Sequence, residues 1–317
     1  MKQFYKQKKV TFIIGILAGV IYGLAARYIF ESNIATVSFL FLVPIGLGAV
    51  PFLFINREQI QSYKKLLFIP WLSIPLLFGL MILFKIEDFL CFFVLAIPFI
   101  LLGTLIAFLV VFLDEVIKRN KRNKLFGLAL LPFLVLPLEK SLEPNSRNYN
   151  VNSEIIIEAT ATTIWDNIVA VNIIKDTEYN PGILNTFGLP RPVKATVTKK
   201  ELGGIRTGYF DDGLQFTEII TKYNLNREIA FSIKVNPASC QNKIFQKHVL
   251  EGDYFRFENA VYKLTPMPDG KVKLSLSSEY NLTSNVNFYG EFWANIMIQD
   301  FQDRLLNVIQ KRCEKKP

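Results

Sequence analysis

Four apolar runs, residues 10–30, 34–55, 66–84 and 89–113, fill most of the first third of this chain. Each is long enough to supply the roughly 20 helical residues that cross a bilayer core. Residues 1–140 are therefore expected to form an α-helical transmembrane bundle of four or five helices. The first run is not expected to be a cleaved leader, because it is too long and a second run follows at once. A fifth run, from Leu125 to Leu138, contains Pro132 and Pro137. At about 1.5 Å of rise per residue it falls short of the hydrocarbon thickness. Either it spans a thinned bilayer with Lys124 and Lys140 snorkelling, or it lies in the interface.

Lysine and arginine set the orientation. Lys2, Lys6, Lys8 and Lys9 precede the first run, Arg57, Lys64 and Lys65 follow the second, and Lys118, Arg119, Lys121, Arg122 and Lys124 follow the fourth. The alternate connections, "ESN" and "KIED", carry almost no positive charge. This places the N-terminus and the basic loops in the cytoplasm, with the bundle in the cytoplasmic (inner) membrane. If the fifth run spans, which is the preferred reading, the rest of the chain is extracytoplasmic; if it lies in the interface, the rest is cytoplasmic. The spans hold no ionisable group at their centres, only Arg27 and Asp114 near their ends, so they read as an anchor or scaffold rather than a pore. Gly15, Gly19 and Gly23 share one helix face, which suits close packing inside the bundle or, as the second choice, a homo-oligomer. Prolines 44, 51, 70, 75 and 98 would kink three spans.

The formal net charge of +9 lies largely in these loops, and the basic tail "QKRCEKK" reads as a solvated helix end, so no nucleic acid is expected as a partner. Cys91, Cys240 and Cys313 have neither CxxC nor Cys/His spacing, so no metal site is expected and unpaired thiols are favoured over a Cys240–Cys313 disulfide. With His248 as the single histidine and no GxSxG, HExxH, P-loop or GxGxxG motif in context, no cofactor is implied.

After a polar linker, residues 141–150 within "EKSLEPNSRNYNVNS", the pattern changes. "SEIIIEAT" reads as a strand, and in "ATTIWDNIVAV" Ile164, Trp165, Ile168 and Val169 recur at helical spacing, with Thr160 or Thr162 placed to cap. A meander follows: "VKATVTKKE", "GIRTGYF", "LQFTEIITKY", "REIAFSIKV", a long loop over residues 236–254 carrying His248, then "FRFENAVYKL" and "KVKLSLSSEY" joined by "TPMPDG". The chain ends in a long amphipathic helix with Trp293, Met297, Phe301, Leu305 and Val308 on one side. One helix lying across a curved antiparallel sheet covers it incompletely and leaves a cavity suited to an apolar ligand.

Residues 151–315 resemble the START-like (SRPBCC, helix-grip) superfamily, near its polyketide cyclase/dehydrase-like branch. The resemblance is carried by Ala159, Ile164 and Trp165 in the opening segment. It continues in "YFDDGLQFTEIIT" through Phe210, Gly213, Phe216, Glu218 and Ile220, and in a final helix containing Trp293. It implies a 151–317 ligand-binding domain with a helix-grip fold; the superfamily includes lipid carriers, hormone receptors and cyclases.

If "DDG" is a three-residue turn with Gly213 left-handed, Arg206 falls opposite Glu218; a two-residue turn puts Thr207 there instead. The pair reads either as a polar fixture at the ligand cavity or as a structural cross-strand pair. Arg206, Phe216, Glu218, Phe231, Tyr262, Leu276, Tyr280, Trp293, Met297 and Phe301 are the candidate ligand-binding residues. The first functional expectation is a membrane-tethered domain binding a hydrophobic small molecule or lipid. The alternatives are a cyclase- or dehydratase-type enzyme using Glu218, His248 or Tyr280 for proton transfer, and a membrane sensor or interaction protein.

Overall fold

The structure is a computed structural model and describes residues 2–30, 34–55, 64–112, 121–242, 244–250 and 252–314. It divides into two compact units, Met1–Pro144 with Ser284–Val286, and Asn145–Thr283 with Asn287–Pro317.

In the first unit three stretches are long and apolar enough to cross a membrane, Lys9–Ile29, Leu66–Leu83 and Phe89–Phe112. They lie in α1 (Lys2–Ile29), in α3 (Ile69–Leu83) with the 3-10 turn before it, and in α4 (Phe89–Phe112). The second apolar run, Ser38–Phe54, is a shorter apolar helix of mixed type, interrupted near the prolines expected to kink it. A π-helical turn (Ser38–Leu42), α2 (Val43–Ala49) and a 3-10 turn (Val50–Phe54) follow one another. Pro44 and Pro51 each remove a helical N–H, so the run changes its hydrogen-bonding step instead of continuing as one α-helix. Its first turn is capped by a distant carboxylate: Glu139 accepts from Val37 N at 2.7 Å, Ser38 N at 2.9 Å and Ser38 Oγ at 2.7 Å.

The fifth run is helical as α5 (Lys121–Lys140). Leu125 at its start packs with Phe52, Ile55, Leu66, Ile69 and Val110, beside the ends that feed the two basic loops. Glu139 at its finish caps the turn at Ser38, and Tyr22 Oη donates to its Ala129 carbonyl at 2.8 Å in between. Thus α5 packs along the second apolar run, from its 3-10 turn at Val50–Phe54 to its π-helical turn at Ser38–Leu42. Arg57, Lys118, Arg119, Asp114 and the "ESN" connection lie outside the described residues. Arg27 is buried and its Nε meets Glu87 Oε1 at 2.6 Å. Gly15, Gly19 and Gly23 lie against Ile69, Ser73 and Leu77 of α3. That glycine face is packed within the chain.

The second unit is a seven-stranded antiparallel sheet in the order β1-β7-β6-β5-β4-β3-β2. The strands are β1 (Ser146–Ile157), β2 (Pro192–Val197), β3 (Ile205–Phe210), β4 (Gln215–Asn224), β5 (Glu228–Val235), β6 (Phe255–Pro266) and β7 (Val272–Thr283). Between β1 and β2 come α6 (Ala161–Val169) and the short α7 (Ile183–Thr186); α8 (Ile244–Leu250) precedes β6, and α9 (Asn287–Glu314) closes the chain. This order of strand, two helices, six strands and long helix is the helix-grip arrangement that the sequence leads one to expect.

Two boundaries differ from expectation. The linker is shorter, because β1 begins at Ser146 and its polar residues pair with β7 from Ser146↔Thr283 onward. On its outer side Asn148 Nδ2 donates to Glu279 Oε1 at 3.0 Å and Ser277 Oγ to Asn150 Oδ1 at 2.7 Å. A strand edge satisfied by such polar rungs needs no apolar alternation. His248, expected in a loop, lies on α8. Other local expectations hold. Thr160 caps α6 by accepting from Thr163 N at 3.2 Å, and Ile164, Trp165, Ile168 and Val169 are buried. Helix α9 crosses the inner face of the sheet, where Gln302 Nε2 donates to the Val151 carbonyl at 3.2 Å and to Ser278 Oγ at 2.8 Å. Cys240 Sγ lies against the Asn236 carbonyl and Cys313 Sγ against that of Thr163, so the two thiols are not bridged.

Candidate ligand site on the inner face of the sheet

The β3–β4 hairpin sets the site. Gly213 takes φ +92°, a conformation that costs an L-residue about 1–2 kcal/mol and glycine nothing comparable. Phe210 N donates to the Leu214 carbonyl at 3.0 Å, closing the three-residue turn. The register that follows pairs Arg206 with Glu218 and Thr207 with Thr217, so the three-residue reading is the one observed. Because side chains alternate along a strand, both members of the charged pair point to the inner face with Ile220.

There Arg206 and Glu218, 5% and 8% exposed, form an ion pair through Arg206 Nη1 and Glu218 Oε2. The guanidinium sits 5.0 Å from the centroid of the Phe231 ring, a cation–π geometry. Phe231 meets Tyr262 edge-on at 6.4 Å. Burial opposes the Arg206 charge, but Glu218 and Tyr262 outweigh it and raise its pKa, so it is charged. Burial pushes the Tyr262 hydroxyl up to about 12 against the opposing pull of Arg206, so it keeps its proton at neutral pH. The buried polar atoms that lack a hydrogen-bond partner include the donor Arg206 Nε and the acceptor Gln302 Oε1. Orphaned atoms of this kind cost about 1–3 kcal/mol each, which makes them markers of an absent partner.

An aromatic wall continues from this pair. Phe210 meets Phe216 at 4.9 Å and Phe301 of α9 at 5.9 Å, and Phe216 meets Phe257 at 5.3 Å. All four are only half-buried although they line the inner face. Gly208, between Arg206 and Phe210 on the same face, keeps the floor low: a Cβ there would lie 3.3 Å from Glu218 Oε1.

The structure thus brings together Arg206, Glu218, Phe231 and Tyr262, and beside them Phe216 and Phe301. Leu276, opposite Tyr262 in the β6–β7 ladder, is core, and Trp293 and Met297 are buried on α9. Tyr280 is not an open hydroxyl. It is fully buried, stacked between Tyr149 and Phe255 at 5.5 Å each, and donates to Asn295 Oδ1 at 2.7 Å. Burial raises its pKa further, so it reads as core and not as a proton-transfer group. His248 is half-buried on α8, outside the Arg206–Glu218 cluster described above. Glu218 already accepts from Arg206, so its carboxylate is committed to an ion pair.

Sequence reasoning missed Gln302 and Phe257. Gln302 was detectable as the one polar residue among Ile298, Leu305 and Ile309 on the buried stripe of α9. Phe257 was hidden by a bulge between Phe257 and Asn259 that changes which residues of β6 face inward. The opposite face of the sheet carries an open groove of about 380 Å³ over Ala230 and Val261. Its polar groups satisfy one another: Lys222 with Glu228 at 2.9 Å, and Glu279 with both Asn148 and Asn259. It therefore has no comparable call for a ligand.

No family model matches the sequence, and no curated protein matches it. Solved structures that align with it include a truncated norcoclaurine synthase from Thalictrum flavum, at 10% identity over 56% of this chain and 99% of that one, TM-score 0.36. The di-domain ARO/CYC BexL aligns at 13% identity over 65% of this chain and 60% of that one, TM-score 0.33. A protein from Rhizobium leguminosarum aligns at 12% identity over 55% of this chain and all of that one, TM-score 0.35. At these scores the likenesses carry no argument, and the fold rests on the strand order and helix placement above.

Proposed function

We propose that the second unit holds an apolar small molecule whose uncharged oxygen lies against Arg206, and that the first unit keeps this site at a membrane. The observation that carries the proposal is the buried Arg206–Glu218 pair with its orphaned Nε, set in a half-buried wall of Phe210, Phe216, Phe257 and Phe301. The wall supplies affinity at about 25 cal/mol per Å² of apolar surface removed from water. The charged pair selects the head. Glu218 neutralises Arg206, so an anionic ligand would add a second carboxylate beside Glu218, whereas a hydroxyl or carbonyl oxygen simply accepts from Nε. Tethering raises the effective concentration of membrane-dissolved ligand.

Organic extraction of the purified full-length chain, followed by mass spectrometry, tests this reading. A near-stoichiometric molecule with an apolar skeleton and a neutral oxygen is expected. Gly208→Leu places a side chain in the site and should remove that molecule by about tenfold, while bilayer lipids carried by the bundle remain. Identical extracts from both proteins would sink the proposal.

The path of α5 supports an extracytoplasmic second unit. It starts beside Phe52, Leu66 and Val110, on the apolar runs that flank the basic loops in sequence, and finishes at the opposite end of the bundle, where the chain continues into β1. With Glu143→Cys in a cysteine-free background, a membrane-impermeant maleimide should label intact cells. Labelling seen only after lysis would reverse the orientation.

A further inference from the structure

Gln302 is fully buried on the apolar stripe of α9, among Ile298, Leu305 and Ile309. Half of its amide has a structural explanation. Val151 belongs to β1, the edge strand of the sheet, and its carbonyl needs a donor from outside the ladder. Gln302 Nε2 supplies it at 3.2 Å and donates to Ser278 Oγ at 2.8 Å as well. A carbonyl only accepts, so the nitrogen of the amide, and not its oxygen, must face Val151. That requirement fixes the amide and leaves Oε1 as a buried acceptor without a partner among the described residues. The edge carbonyl accounts for the nitrogen and leaves the oxygen unexplained.

The strand register relates that acceptor to Arg206. Val151, Ser278, Ala260 and Phe231 follow one another in register across β1, β7, β6 and β5 on the inner face. The Gln302 amide sits on Val151 and Ser278 at one end of this row, and the Arg206 guanidinium sits over the Phe231 ring at the other. Between them the row carries only Ala260, its smallest side chain. Ser278 and Phe231 are two strand spacings apart, roughly 10 Å. A buried donor, Arg206 Nε, and a buried acceptor, Gln302 Oε1, thus flank the lowest point of the row.

We propose that the bound molecule presents a hydroxyl head over Ala260, which accepts from Arg206 Nε and donates to Gln302 Oε1, so that the site takes an alcohol or a phenol. A hydroxyl both donates and accepts, whereas a ketone, ester or ether oxygen only accepts and would leave Oε1 facing another lone pair. A carboxylate would do the same and would also meet Glu218. An ammonium group would satisfy Oε1 but would turn a second donor toward Arg206 Nε. The inference rests on the inner face being the site of an apolar molecule with an uncharged oxygen, and it narrows that class. Arg206 receives a ketone and an alcohol equally well; Gln302 is the residue that tells them apart.

The test uses the organic extract of the purified full-length chain, and within it the molecule that Gly208→Leu removes. Acetic anhydride is expected to convert that molecule fully to an acetate ester, with accurate mass distinguishing an alcohol or phenol from an amine. Gln302→Met, which keeps the side-chain length and loses the acceptor, should retain about tenfold less of it, the worth of one buried hydrogen bond. Gln310→Met is the control, because Gln310 Nε2 also donates to a β1 carbonyl, that of Ile156 at 2.9 Å, at an exposed position away from the row. It should retain the molecule in full. Trp fluorescence compared with the parent protein establishes that each variant is folded. A molecule that resists acetylation would overturn the proposal, and this arm needs no substitution of Gln302. Full retention by folded Gln302→Met would also overturn it, because water alone would then satisfy Oε1. Failure of the underlying reading looks different: Gly208→Leu would remove nothing from the extract.

Discussion

Glu218→Leu is expected to destabilise the second unit by about 3–5 kcal/mol, because it leaves the Arg206 guanidinium buried without its counter-charge. Arg206 cannot escape by losing its proton, since its guanidinium stays protonated throughout the accessible pH range. Arg206→Met leaves the Glu218 carboxylate stranded in the same way. The double variant Arg206→Met/Glu218→Leu removes both charges and the orphaned Nε together, and should lose much less than the sum of the two single changes. Of the three tryptophans, Trp165 and Trp293 belong to this unit, so intrinsic fluorescence of the full chain in detergent reports its melting. At about 2–4 °C per kcal/mol, each single change should lower the midpoint by about 10 °C. Additive losses, or single changes without effect, would mean that the pair is solvated in solution. The same series bears on ligand binding. A double variant that folds yet no longer retains the extracted molecule would assign the pair to recognition rather than stability.

The second large effect concerns the bundle. A methyl group at Gly48 would lie 2.5 Å from the Gly103 carbonyl oxygen and 2.8 Å from Ile106 Cβ of α4. Backbone cannot swing aside as a side-chain end can, so α2 and α4 would have to separate. Gly48→Ala should therefore cost about 1–3 kcal/mol by overpacking, and Gly48→Leu should leave little folded protein. Gly79, in the same bundle, has nothing within 4 Å of an added Cβ. Gly79→Ala should be neutral or gain about 0.5–1 kcal/mol from helix propensity. The monodisperse fraction after heating detergent-extracted protein reads both. Equal behaviour of Gly48→Ala and Gly79→Ala would show that the α2–α4 contact is not close.

Several features were legible before any coordinates because they depend on residues near one another in the chain. The change of period at Ile157–Ala161 marks a strand passing into a capped helix, and Thr160, Ile164, Trp165 and Ile168 perform those roles. The Asp211–Asp212–Gly213 turn carries its own geometry in the left-handed glycine, which is why the hairpin alone narrowed the partner of Glu218 to Arg206 or Thr207, and the observed register is Arg206. Tyr280 shows the limit. Strand alternation places it inward correctly, but alternation is blind to what lies above and below, and Tyr149 and Phe255 arrive from β1 and β6 to enclose it.

Local pattern thus established two architectures in one chain, the apolar runs of the bundle and the strand–helix order of the second unit, because helix and strand periods, turn glycines and span lengths are short-range properties. The site needed tertiary packing. A bulge in β6 puts Phe257 and Ala260 on the same face, and neither residue alone announces it. The polar rungs that turn 146–150 from linker into strand exist only once β7 lies alongside. Arg206 Nε and Gln302 Oε1 become orphans only when a sheet and a helix distant in sequence close over them and remove water. Burial is a property of the assembled surface, and the need for a ligand follows from burial.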